Sequence, residues 1–289
     1  MKFIFTFFLF VTGLNFCLGQ TLPVHPQYIL NQYLYNPAAV GISGEHAINF
    51  GLTKQWLGID GSPSMGVISY ENPFHEKMSL GANLINSLDG PFNDLSFYAT
   101  FAYKLELQEE MSIRFGLSAG MDYYNVNTSK FDDPSDPAIA NMTVNEINYL
   151  MNFGLSFNWG NLQTGASFPT LIGSPYIFES DDNPSNDDPL NYFILTGNYS
   201  LPMGKSWAID PHILYHRFAD FNDQVEGMVE VSWKNRISAG GGYRTNFGPN
   251  FMISFKANDK LKFGYFYLPG NDNLRLNADT HALQCRLTL

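Results

Sequence analysis

Gly116-Leu117-Ser118-Ala119-Gly120 spells a nucleophile elbow, which presents a serine on a strand-to-helix turn for attack on an acyl carbon. The flanking residues deny it that turn. Ile113, Phe115, Leu117, Ala119, Met121 and Tyr123 alternate with Arg114, Gly116, Ser118, Gly120 and Asp122, so Ser118 falls in mid-strand. Small residues in a tight wall account for the pattern instead. Of the histidines (His25, His46, His75, His212, His216, His281), none stands in a zinc-protease pattern. His212 and His216 share one strand face with Asp210. Strand neighbours two apart lie about 7 Å from each other, and a polar interior explains all three without a metal. Asp132, Asp133 and Asp136, and Asp181, Asp182, Asp187 and Asp188, would suit calcium by charge. Their spacing is not that of an EF-hand and Pro184 interrupts the second group, so both read as solvated acidic loops. The expectation is no enzyme, no cofactor and no metal site.

Composition narrows the classes further. The chain has 289 residues, 45% of them hydrophobic and 16% aromatic, which is too apolar for disorder. A net charge of −11 without a basic cluster argues against nucleic acid. Residues 1–19 read as a secretory signal peptide: Lys2, an apolar run from Phe3 to Val11, then Cys17-Leu18-Gly19 ahead of a cut before Gln20. Phe16 stands before Cys17 where a lipoprotein signal calls for a small residue. Cleavage there leaves Cys285 as the one thiol, so no intramolecular disulfide is expected.

Beyond the signal, no apolar run approaches the ~18 residues of a spanning helix. The period is two. Ile147, Tyr149, Met151, Phe153, Leu155, Phe157 and Trp159 alternate with Asn148, Asn152, Gly154, Ser156 and Asn158, and Leu95 to Leu107 repeats the scheme. Such segments outrun the five or six residues usual in a soluble sandwich and fit strands crossing a bilayer. Fourteen are expected, at about 46–56, 63–72, 77–86, 94–107, 112–125, 147–159, 162–171, 191–202, 207–217, 224–234, 236–246, 250–258, 260–268 and 280–289. Lipid offers backbone groups no partner, so the strands must close into an all-β, up-and-down antiparallel barrel over 46–289. The long connections, about 126–146, 172–190 and 269–279, all fall on the odd-numbered side, whereas Gly160-Asn161, Met203 to Ser206, Asn235 and Asp259 are tight. The orientation follows: short periplasmic turns, longer outer loops, in the cell outer membrane. Arg114, Asp122, Asp210, His212, His216, Glu226, Glu230, Lys256, Lys262 and Arg286 are expected to line the lumen. A wetted lumen, a plug or a held protein ligand all fit that list. Trp56, Trp159, Trp207 and Trp233 read as interfacial anchors.

Residues 20–45 precede the first strand on the periplasmic side. Their irregular backbone cannot lie in lipid, so the segment must cover the mouth, enter the lumen or contact a partner. It carries Tyr28, Tyr33 and Tyr35 as exposed aromatics beside a turn at Asn36-Pro37, which suits either docking or a plug. Gln27-Tyr28-Ile29-Leu30-Asn31 with Asn36-Pro37-Ala38 and Gly41, then Gln55-Trp56-Leu57-Gly58-Ile59-Asp60-Gly61-Ser62-Pro63 and Glu71-Asn72-Pro73, resemble the signature blocks of the PorP/SprF family. The similarity continues through Gly165-Ala166-Ser167-Phe168-Pro169 to Thr280-His281 and covers essentially the whole mature chain. The chain departs from that pattern at Gln32, Ala39, Lys54 and Ala282. The resemblance implies an outer-membrane barrel of type IX secretion and gliding motility that helps export or retain a cell-surface protein such as an adhesin, with a periplasmic component of the system. On that reading Tyr28, Tyr33, Tyr35, Asn36, Pro37, Gln55 and Trp56 are the candidate partner contacts. Architecture alone equally allows a passive porin or a transporter of small hydrophobes, and a hydrolase would need Ser118 or His212.

Overall fold

The computed structural model describes residues 26–131, 145–172, 191–218, 223–270 and 278–289. The expected signal peptide, His25 and both acidic groups, from Asp132 to Asp136 and from Asp181 to Asp188, lie outside the described residues. The strands are β1 (Ala47–Lys54), β2 (Ser64–His75), β3 (Met78–Asp89), β4 (Phe92–Gln108), β5 (Met111–Val126), β6 (Asn145–Trp159) and β7 (Leu162–Ile172). They continue as β8 (Tyr192–Tyr199), β9 (Leu201–Met203), β10 (Trp207–Phe218), β11 (Gln224–Trp233), β12 (Ile237–Arg244), β13 (Gly248–Lys256), β14 (Leu261–Leu268) and β15 (Thr280–Thr288). β8 and β9 both pair with β10 and form one barrel stave interrupted at Ser200. Pro202 brings no N–H to that ladder, and the Ser200 N–H bonds instead to the carbonyl of Asn161.

Fourteen staves therefore make one antiparallel sheet, each beside its sequence neighbour. β1 pairs with β15, from Ala47 opposite Thr288 to Lys54 opposite His281, and closes it. Closure satisfies the two edges that lipid could not. Alternation decides which side each residue takes. β11 and β13 run buried–exposed over nearly their whole length, with Val225, Val229, Phe251 and Ile253 outside and Glu226, Met228, Asn250 and Ser254 inside. Trp207 and Trp233 are direct cross-strand partners on the exterior at the short-turn end, and Trp159 is exposed at the same end. They form an aromatic girdle there. Trp56 does not extend β1: it takes a left-handed φ of 48° and turns the outer hairpin instead.

The interior is where the exposed-tyrosine expectation fails. Residues 26–45, here called the strap, pass through the lumen as three 3-10 turns, Pro26–Ile29, Gln32–Leu34 and Pro37–Ala39. Tyr28 and Tyr33 are only 4% and 2% exposed, and Ala38, Ala39 and Val40 are equally buried. A fourteen-strand lumen is too wide for wall side chains to fill, so the apolar strap gains more by entering it than by lying in water.

Candidate functional site

The strap and the wall that grips it are the candidate site. Asn36 caps the last turn by accepting from the Ala38 N–H, and Pro37 supplies the fixed φ of its first residue. The Asn36 amide then donates to the Leu155 carbonyl of β6 at 2.9 Å. Close approach is possible because the wall lacks side chains there: a Cβ on Gly116 would overlap the backbone of Pro37 and Ala38, and one on Gly154 the Asn36 side chain.

Polar bonds fix the strap at both ends. Gln27 donates to Thr53 Oγ1 at 2.6 Å and Asn31 to Ser69 Oγ at 3.0 Å. The Tyr33 hydroxyl donates to Thr100 Oγ1 at 2.7 Å, and Thr100 is bonded in turn to Ser118 Oγ at 2.6 Å. Ser118 is thus a lumenal anchor beneath the strap. It sits in mid-strand, not on the strand-to-helix turn that a nucleophile elbow requires. Burial pushes the Tyr28 and Tyr33 hydroxyls above their ordinary range, so both stay neutral.

Two of the expected lumen residues hold the strap directly. Arg114 donates to the carbonyls of Ala38 (2.9 Å) and Val40 (2.5 Å). Arg286 donates to Glu71 Oε1 at 2.8 Å and to Ser43 Oγ at 2.7 Å. Glu71 is the residue that lumen prediction passed over. Its Oε2 accepts from the Gly41 N–H at 2.8 Å, and its Oε1 also takes Asn49 at 2.9 Å. The signal was present, since Glu71 opens the family-like Glu-Asn-Pro block and has lumenal parity. Gln27 and Asn31 were missed similarly, their partners lying 26 and 38 residues away.

The remaining expected residues form separate groups. Glu226 binds Arg244 (Nε 2.7 Å) and Asn250 (3.0 Å) in a wholly buried cluster at the outer end of β11–β13. His212 lies 3.5 Å from Glu230. His216 is buried on the same face. Asp122 accepts from Asn148 at 3.3 Å. Among the described residues no three His, Cys, Asp or Glu side chains gather as metal ligands. Of the candidate partner contacts, Asn36 and Pro37 are buried within the barrel with the tyrosines, and Gln55 is buried in the outer hairpin, where its N–H bonds to the Pro63 carbonyl at 2.9 Å.

An apolar exterior, a closed antiparallel sheet with short turns on one side, and a polar lumen crossed by the protein's own N-terminal segment define an outer-membrane β-barrel. The chain belongs to the family of type IX secretion system membrane proteins PorP/SprF, whose model matches residues 18–286. It is thus a barrel of the outer membrane associated with type IX secretion. Among solved structures it is similar to the CymD monoaromatic hydrocarbon channel, at TM-score 0.53 and 9% identity, over 94% of this chain and 95% of that one. A deltaS2S3 mutant of the TodX monoaromatic hydrocarbon channel aligns at TM-score 0.52 and 9% identity, over 93% of this chain and 95% of that one. At such identity the likeness is one of fold. No curated protein matches the chain by sequence.

Proposed function

We propose that the barrel acts as a closed interaction protein that helps export or retain a cell-surface protein, together with a periplasmic component of the secretion system. The observation that supports this reading is the strap. Its hydrogen bonds run to β1, β2, β4, β5 and β6, and its side chains pack against Ile194 and Leu214 on the far wall. A passive porin needs that cross-section open for its solute. An interaction barrel needs a rigid platform, and a filled lumen supplies one.

Two measurements test it. Reconstituted in planar bilayers, the intact protein is expected to show no large constitutive conductance, and deletion of residues 26–40 is expected to open one. In cells, loss of the barrel is expected to remove a type IX client from the surface. A steady open pore from the intact protein, with client display unchanged in its absence, would return the passive porin.

A further inference from the structure

At the periplasmic mouth a cavity of about 480 Å³ lies between the strap and the strand ends, with Lys256, Lys262 and Arg286 on its wall. Strand register sets the charges. Lys256 on β13 stands directly opposite Lys262 on β14, and Lys262 directly opposite Arg286 on β15. Like charges so placed repel and weaken a sheet. Arg286 is neutralised by Glu71 at 2.8 Å, with Glu45 at 3.9 Å. Neither lysine ammonium has a hydrogen-bond or ion-pair partner among the described residues. Glu230 and Asp210 act on Lys262 without contact, and Glu230 is 3.5 Å from His212. Asp259 and Lys260, one charge of each sign, line the same cavity. Two adjacent ammonium groups thus face the cavity without a direct ion pair among the described residues.

We propose that this vestibule binds an acidic peptide segment from the periplasm, with carboxylates on Lys256 and Lys262. A small anion would need far less room, since the volume falls within the range of ligand pockets. Ile29, Leu30, Ile42 and Leu261 line the same cavity and offer apolar contact to side chains flanking the carboxylates. The site follows from strand register and stands apart from the export reading.

The test uses the full mature chain in detergent and a fluorescent peptide of alternating glutamate and leucine, followed by anisotropy. Lys256→Gln with Lys262→Gln is expected to weaken binding by at least about tenfold, the loss of a charge-assisted contact, while the paired arginine variant retains it. A peptide with glutamine for glutamate should not bind. Equal binding to the glutamine variant, or equal binding of the glutamine peptide, would overturn the site. Displacement by equimolar inorganic phosphate would make it a small-anion site and overturn the peptide assignment. Removing the repelling pair should hold or raise the urea midpoint in lipid vesicles. A clear fall would show that the lysines serve the fold and refute the proposal.

Discussion

Arg114 shows how much one side chain does in this lumen. It serves two strap carbonyls and also donates to Ser79 Oγ at 3.2 Å, all out of water. Arg114→Ala is expected to orphan both carbonyls at roughly 1–3 kcal/mol each. Limited proteolysis should then cut within residues 26–45 while the barrel keeps its heat-shifted gel mobility. Glu226→Ala is expected to cost about 3–5 kcal/mol in vesicle unfolding, because it strands a buried guanidinium. Ser118→Ala, in contrast, removes one buried hydrogen bond, about 1 kcal/mol. Client display should survive it.

A single strand reads both of its solvents. In β6, Phe153 faces outward and stacks on Phe168, with ring centroids 6.3 Å apart, whereas Gly154 lies against the strap. Phe153→Arg is expected to destabilise by about 2–4 kcal/mol near the bilayer midplane, and Asn152→Asp on the lumenal side much less. Urea titration in vesicles measures the contrast, and equal costs would contradict the facing of β6. Long strands pose a related question. β4, β5 and β6 have 17, 16 and 15 residues, more than the ~9–11 needed to cross the hydrocarbon. The excess reaches beyond the hydrocarbon layer.

At the scale of the whole molecule, orientation is the testable quantity. Asp60 is exposed in the outer hairpin, and Asn235 is exposed in a tight periplasmic turn. Asp60→Cys is expected to react with an impermeant maleimide on intact cells, and Asn235→Cys only after the membrane is opened. The reverse pattern would invert the barrel.

The staves were legible in the sequence because their determinants are local. Period-two alternation needs only residues two apart, so β5, β6, β11 and β13 come within a few positions of their expected bounds. Tight even-numbered turns betray orientation for the same reason. Parity also put Arg114, Glu226 and Arg286 on the inner face. The occupant of that inner face was not legible. Tyr28 and Tyr33 look like surface aromatics along the chain, and only closure, bringing β1 beside β15, creates the enclosed space that buries them. Glu71 gains its meaning from Gly41, Asn49 and Arg286, residues up to 215 positions away. The Lys256–Lys262–Arg286 row likewise exists only once three strands are in register. Alternation chose a face for each residue. Closure chose what that face would meet, since contacts across a lumen leave no periodic trace in the chain.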